Sequence, residues 1–300
     1  MKKIAVIGSI NMDMTVQTQR HPKVGETVAG HHLSYIPGGK GANQAVAAAR
    51  LGGDVTMFGC VGDDIFSGRL IDNLAKNNVD TRHIRSVSKT SCGIAMITVA
   101  QKDNTIIVIA GANQYVSREY ISQEKENILQ ADIILLQNEI PFETVAYAAD
   151  MAWKHGKTVI YNPAPFLPVP QNFMNKITYV TPNEHEAALL YGEDQSIEQM
   201  LEKSKGKAII TLGDQGAAAW INARSVFIPP RPANVTDTTG AGDTFNGALA
   251  CGLSQGQTLE EALRFANTAA SLSTEKMGAQ TGMPDRAAVA RWMPAHAPKI

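Results

Sequence analysis

The sequence predicts an α/β protein with a mainly parallel central sheet. Helices on both of its faces make three α-β-α layers, and a small β-sheet lid stands apart. Three observations carry this reading. Short apolar runs recur along the chain, bounded by glycine or polar residues, as buried strands are. Stretches of helical periodicity lie between them. Two segments break the alternation and supply the second sheet.

Residues 4–8 form the first buried-strand run, and residues 55–59, 132–136, 158–161, 177–180 and 208–212 follow it. The helical stretches are equally legible. Residues 42–51 are alanine-rich, and residues 66–77 place Phe66, Leu70, Ile71 and Leu74 on one face. Residues 141–155 open on a proline, tolerated in a first turn, and stop before Gly156. Residues 12–35 hold only short extended runs, at 14–18 and 27–29. Residues 92–109 read as a hairpin around the polar turn Lys102-Asp103-Asn104. The expectation is one domain spanning 1–300, with lid segments at about 12–35 and 92–109. The Ala/Pro-rich tail, 294–300, is expected to be loosely held.

Composition excludes several function classes. Lys plus Arg total 27 against 28 for Asp plus Glu, a net charge of -1. That balance argues against a nucleic-acid partner and against a polybasic membrane patch. No apolar run approaches the ~18 residues of a membrane span. Cys60, Cys92 and Cys251 are far apart and form no C-x-x-C pair, so free buried thiols in a reducing compartment are expected rather than a zinc site. Met1-Lys2-Lys3 leads into a strand rather than a signal peptide. A cytoplasmic protein is expected.

The common phosphate and hydrolase motifs are missing. Gly8-Ser9-Ile10-Asn11 lacks the later glycines of a dinucleotide turn. Neither a Walker loop, nor H-E-x-x-H, nor G-x-S-x-G occurs. Two glycine-rich segments remain. Gly38-Gly39-Lys40-Gly41-Ala42-Asn43-Gln44 enters the first helix. It reads either as a plain glycine turn or as backbone opened towards a ligand, with Lys40 and Asn43 donating to hydroxyls. Asp237-Thr238-Thr239-Gly240-Ala241-Gly242-Asp243 opens a later helix. Its glycines can aim N–H groups at an anion. Asp243 is then either a helix cap or a base that takes a proton from an alcohol beside a transferring phosphoryl group.

With these segments the chain resembles the ribokinase-like family of sugar kinases over nearly its whole length. Further matching segments run in order: Gly8 to Asp13, Gln137-Asn138-Glu139, Asn162 to Pro165, Thr181 to Glu186, and Thr211 to Gly216. The resemblance implies an ATP-dependent sugar kinase acting on D-ribose. It makes Asp243 the base, and Gly240, Ala241 and Gly242 the anion hole for the γ-phosphate. Asn11, Asp13, Gly39, Lys40, Asn43 and Glu139 would bind the sugar. Asn183 and Glu186 would act near the phosphates and Mg2+, although their spacing also fits a plain capping box. Thr211, Gly213, Gly216 and Asn267 would line the nucleotide site. A K+ ion would sit among Asp237, Thr239, Ser273, Lys276 and Gly278, mostly on backbone carbonyls. One departure stands out: the family position that can offer a serine hydroxyl is Gly282 here. The family also implies a lid over the sugar and a homodimer paired through the lids. Rival readings are a kinase for deoxyribose, fructose or a nucleoside, and a sugar-binding regulator without catalysis.

Other features are expected to be incidental. His21, His31 and His32 read as solvated loop residues, and Trp153, Trp220 and Trp292 as packing residues. Residues 122–127 read as a solvated helix face, and Arg50 and Arg69 as surface groups rather than phosphate ligands.

Overall fold

Strand β1 (Lys3–Ile7) shows how the layers arise. Ile4 and Val6 enter one buried cluster, and Ala5 and Ile7 enter another. Successive side chains of a strand point to opposite faces, so a strand covered on both sides is apolar throughout. The computed structural model describes residues 1–101 and 103–293. Lys102, in the expected turn, and the tail 294–300 lie outside the described residues.

The remaining strands are β2 (Asn11–Thr18), β3 (Gly30–Gly38), β4 (Asp54–Val61), β5 (Val79–Asp80), β6 (Ile84–Ser86), β7 (Gly93–Ala100), β8 (Asp103–Ile109), β9 (Ile133–Leu136), β10 (Thr158–Tyr161), β11 (Tyr179–Val180), β12 (Ile209–Thr211), β13 (Ala217–Ile221) and β14 (Arg224–Ile228). The main sheet runs β11-β10-β9-β1-β4-β5, with β6 also on β4. Every pair in it is parallel. Parallel bridges from Val180 to Ala208 and from Asn183 to Thr211 join β11 to the ribbon β12-β13-β14. That ribbon is antiparallel. The sequence reading had no place for β13 and β14.

Helices Lys40–Arg50, Ala241–Ser254 and Leu259–Ser273 supply the Ile4 side of the core. Helices Phe142–Lys154 and Ile197–Lys203 supply the other side. The expected three layers are therefore present.

The second sheet has the order β3-β2-β7-β8. Its central pair, β2 with β7, is parallel, and an antiparallel strand flanks each. The run at 27–29 is not a strand. The extended segment begins at Gly30 and continues to Gly38, so the lid strand leads straight into the first glycine-rich turn.

Several incidental readings need correction. The charged stretch 122–127 is not one solvated helix face. The helix breaks at Glu124, whose carboxylate meets His83 Nδ1 at 2.8 Å. Trp153 and Trp292 are each 54% exposed, so neither is a core residue, although Trp292 stacks beneath Arg231. His31 and His32 lie within β3 rather than in a loop. Arg50 is no free surface group: its guanidinium donates to the carbonyls of Gln280 and Met283. Arg69 donates to the Tyr35 carbonyl at 2.6 Å, tying β3 to the core.

Candidate active site

The expected site residues gather beyond the carboxyl ends of the parallel strands. The Gly8–Asn11 turn follows β1, Glu139 follows β9, Asn162 follows β10, Asn183 follows β11 and Gly213 follows β12. Parallel strands of an open sheet leave a crevice at that edge. Here it is a cleft of about 150 Å³, lined by Lys40, Asn183, Glu186, Thr211, Gly240, Gly242 and Asp243, with Asn162, Thr181 and Asn246.

Asp243 lies in the first turn of the Ala241–Ser254 helix, and Gly240 caps that helix with a φ of 76°. An L side chain at Gly240 would be strained, and its Cβ would stand 2.6 Å from that of Ala279. Both Asp243 oxygens accept hydrogen bonds. Asn43 Nδ2 donates to Oδ2 at 2.9 Å, and Gln44 Nε2 donates to Oδ1 at 3.1 Å. Burial pushes the Asp243 carboxyl above its ordinary range, while Lys40, Asn43 and Gln44 pull it back. The result is an oriented carboxylate with an enhanced affinity for a proton.

The three expected anion-hole residues are not equivalent. Ala241 N–H is turned onto the Thr238 carbonyl at 3.1 Å. Gly240 and Gly242 line the cleft, whereas Ala241 does not. A Cβ at Gly242 would meet nothing within 4 Å. First-turn amides lack helical acceptors, which leaves this end of the helix open to an anion.

Of the expected sugar set Lys40 lines this cleft, and Asn43, Glu139 and Asp13 gather beside it around Lys40 and Asp243. Gly39 takes a φ of 88°, and a Cβ there would come within 2.8 Å of Asn11 N. Its missing side chain lets the two turns touch. Glu139 Oε2 accepts from Ser9 Oγ at 2.5 Å and from Lys40 N at 2.9 Å. The Asp13 carboxylate lies over the α-carbon of Gly38. Burial first, then Glu139 and Asp243, push Asp13 up to about 7, against the pull of Lys40. Asp243 does most to strengthen the Lys40 ammonium, against desolvation, with help from Glu139, Glu186 and Asp13.

Asn183 and Glu186 form the capping box: Glu186 N donates to Asn183 Oδ1 at 2.8 Å, and Asn183 N donates to Glu186 Oε2 at 2.9 Å. Both residues also line the cleft, so the box leaves them facing it. Burial raises the Glu186 carboxyl, and the Asn183 amide and Lys40 oppose the rise. Of the expected nucleotide residues, Thr211 lines this cleft, and Gly213 lies two residues further on. Gly216 and Asn267 meet elsewhere, at the Ile228 carbonyl. Asn267 Nδ2 donates to that oxygen at 2.7 Å, and a Cβ on Gly216 would stand 2.2 Å from it.

The residues expected around a monovalent cation are also brought together. Asp237 Oδ1 accepts from Thr239 N and Oγ1, and Oδ2 accepts from Gly278 N at 2.7 Å. Burial would raise Asp237, but these bonds outweigh it and hold the carboxyl low. The Gly282 α-carbon rests against the Ser273 carbonyl, with the Lys276 carbonyl nearby. Among the described residues no group of three or more His, Cys, Asp or Glu side chains could hold a metal.

Sequence reasoning missed the amides behind this site. Gln44 bridges Asp243, Asn162 and Gln137. Asn113 accepts from Ile10 N and donates to Asn11 Oδ1 at 2.7 Å. Thr181 donates to Asn246, which donates to the Gly242 carbonyl. The one available signal was polar residues inside apolar stretches, as at Gln44 among alanines.

Sheet, lid and cleft define the class: a carbohydrate kinase of ribokinase-like fold. The model for the pfkB family of carbohydrate kinases matches residues 1–286, and the chain belongs to that family. It is 46% identical to the ribokinase of Bacillus subtilis (strain 168), over 95% of this chain and 97% of that protein. It superposes on Thermotoga maritima ribokinase with a TM-score of 0.90 at 35% identity, covering 97% of this chain and 99% of that one. The Arabidopsis thaliana ribokinase complexed with ribose and ATP gives 0.89 at 34% identity, covering 97% and 98%.

Proposed function

We propose that the chain is a ribokinase: it transfers the γ-phosphoryl group of ATP to O5 of D-ribose, yielding ribose 5-phosphate and ADP. The observation that carries this is Asp243, a buried carboxylate aimed by Asn43 and Gln44 beside open amides at a helix start. Asp243 takes the O5 proton as that oxygen attacks phosphorus in line. The amides of Gly240 and Gly242 stabilise the charge on the moving phosphoryl oxygens. Asn11, Asp13, Gly39, Lys40, Asn43 and Glu139 hold the sugar hydroxyls. Alternating donors and acceptors of this kind discriminate strongly between hydroxyl patterns.

Mg2+ fits the cleft wall at Glu186, a buried carboxylate beside Asn183 that Lys40 helps to keep ionised. When bound through water, it supplies charge neutralisation to the β- and γ-phosphates. K+ fits the loop pair at Asp237, Thr239, Ser273, Lys276 and Gly278, where the Ser273, Lys276 and Gly278 carbonyls stand beside Gly282 and Asp237 ties the loops together. Glycine offers no hydroxyl there, so backbone carbonyls would have to hold the ion at that position. Thr211 borders the cleft, and Gly213, Gly216 and Asn267 would extend the nucleotide side beyond it, past the Ile228 carbonyl.

The lid sheet carries Leu33, Met96 and the run Ile106 to Ile109 on its exposed surface. Every residue of β8, an edge strand, is exposed. An exposed apolar edge invites pairing, which supports a homodimer through the lid. No helix among the described residues is long and apolar enough to cross a membrane. With three free, buried cysteines, this supports a cytoplasmic enzyme.

The test is ADP release measured across ribose, deoxyribose, fructose and a nucleoside, with and without Mg2+ and K+. Ribose is expected to give the highest kcat/KM. Preference for another acceptor would displace ribose, and tight ribose binding without turnover would favour a regulator.

A further inference from the structure

Behind Asp243 runs a line of amides with one polarity. A carboxylate accepts only, so Asn43 must turn its NH2 towards Asp243, leaving its own Oδ1 facing away. That oxygen meets Gln280 Nε2 at 2.9 Å. Gln280 Oε1 in turn accepts from Asn73 Nδ2 at 2.7 Å. Each amide therefore donates towards the base, from Asn73 to Gln280 to Asn43 to Asp243. Gln280 is 4% exposed and Asn43 6% exposed, so water does not compete for the bonds from Gln280 to Asn43 and from Asn43 to Asp243. The Gln280 backbone is fixed as well, because Arg50 donates to its carbonyl. In water a primary amide turns freely. Here Gln280 holds the Asn43 amide from the side away from the carboxylate, so the amide is fixed at both ends.

We infer that Gln280 is a positioning residue for the base: through Asn43 it orients Asp243 and sets how tightly that carboxylate holds a proton. The reaction role rests on Asp243 being the base, but the coupling along the amides does not. Lys40, Glu139 and Asp13 are the charged groups facing Asp243, with Glu186 beyond Lys40. None of them touches Gln280 through a hydrogen bond, so a substitution at Gln280 leaves their contacts in place.

The experiment uses Gln280→Met, which keeps the side chain's length and removes both of its hydrogen-bonding groups. The Asp243 carboxyl is followed by 13C NMR in full-length protein labelled at aspartate, and assigned with Asp243→Asn. Its titration is expected to move up by about one pH unit, the size of a weakened charge-assisted hydrogen bond. The acid limb of kcat is expected to move with it, with kcat recovering towards the wild-type plateau at high pH. A purely structural role predicts a lower plateau with an unmoved limb. If Gln280→Met does not fold, Asn73→Ala releases Gln280 from behind and is expected to shift both readouts in the same direction, by less. An unmoved Asp243 titration in whichever variant folds overturns the inference. A moved titration with an unmoved kcat limb upholds the coupling and removes Asp243 from the base role.

Discussion

At Asp243 the surroundings make a carboxylate into an oriented base. Removing its charge while keeping its shape tests this most directly. Asp243→Asn is expected to lower kcat by roughly 10² to 10⁴, the usual weight of a general base. Ribose binding, measured calorimetrically, should survive. Asp13 carries a different expectation, in stability. The unfolded chain ionises it near pH 4, but the fold holds its proton to about pH 7. Between those values the folded state binds more protons than the unfolded state, so stability falls as pH rises and levels off above 7. Asp13→Asn has nothing to ionise. Urea unfolding at a series of pH values should show a flatter profile for the variant, which becomes the more stable protein above pH 7. Parallel profiles would show that Asp13 ionises freely in the fold. The cluster of Asp13, Glu139 and Asp243 thus trades stability for a site that awaits a sugar and a cation.

Among elements, the contact that matters most joins the two glycine-led helices, Lys40–Arg50 and Ala241–Ser254. Asn43 and Gln44 stand on one and Asp243 on the other, so the spacing between helix axes sets the length of the hydrogen bonds to the base. Gly247, one turn beyond Asp243, permits the approach: a Cβ there would stand 2.6 Å from the Gln44 carbonyl and 2.7 Å from Ala47 Cβ. Gly247→Ala is expected to cost roughly 1–3 kcal/mol by overpacking. It should also lower kcat more than KM for ATP, since the base moves while the nucleotide wall does not. Denaturant melts and steady-state kinetics on one preparation check both effects, and unchanged kcat with the stability loss would separate spacing from catalysis.

Elements also mark how far the sequence could be read. Strands β1, β4, β9 and β10 and the long helices were legible, because burial on both faces or on one stripe leaves a local pattern. Ribbon β13-β14 was missed, since alanines and a solvent-facing edge leave little period to detect. The ends of the strands named the site, because glycines and acids there have few other uses. Gln280 left no trace: its partner Asn43 lies 237 positions away, and pairing at that range is settled only by the fold.

At the scale of the molecule, two sheets with different solvent exposures must work together. The central sheet is covered on both faces. The lid sheet meets the site at Asn11, Asp13 and Gly38, and it leaves Ile106, Ile107, Val108 and Ile109 at 43–66% exposure along its free edge. An isolated monomer would hold that edge in water, against the usual protection of edge strands by charge or proline. In the proposed dimer, pairing of two lids would remove the apolar surface from water and brace each lid sheet. Ile107→Asp places a charge at the most exposed of these positions, where desolvation in a paired edge is unfavourable. Sedimentation equilibrium is expected to show a dimer for the wild type and a monomer for the variant. The far-ultraviolet spectrum should be unchanged, because β8 packs nothing beneath it. KM for ribose should rise several-fold while KM for ATP stays put, since the lid strands run into the site at Asn11 and Gly38, beside the expected sugar set and away from Thr211. A wild-type monomer at micromolar concentration would remove the lid pairing. A monomeric variant with unaltered ribose KM would confine the pairing to solubility and leave closure to each lid alone.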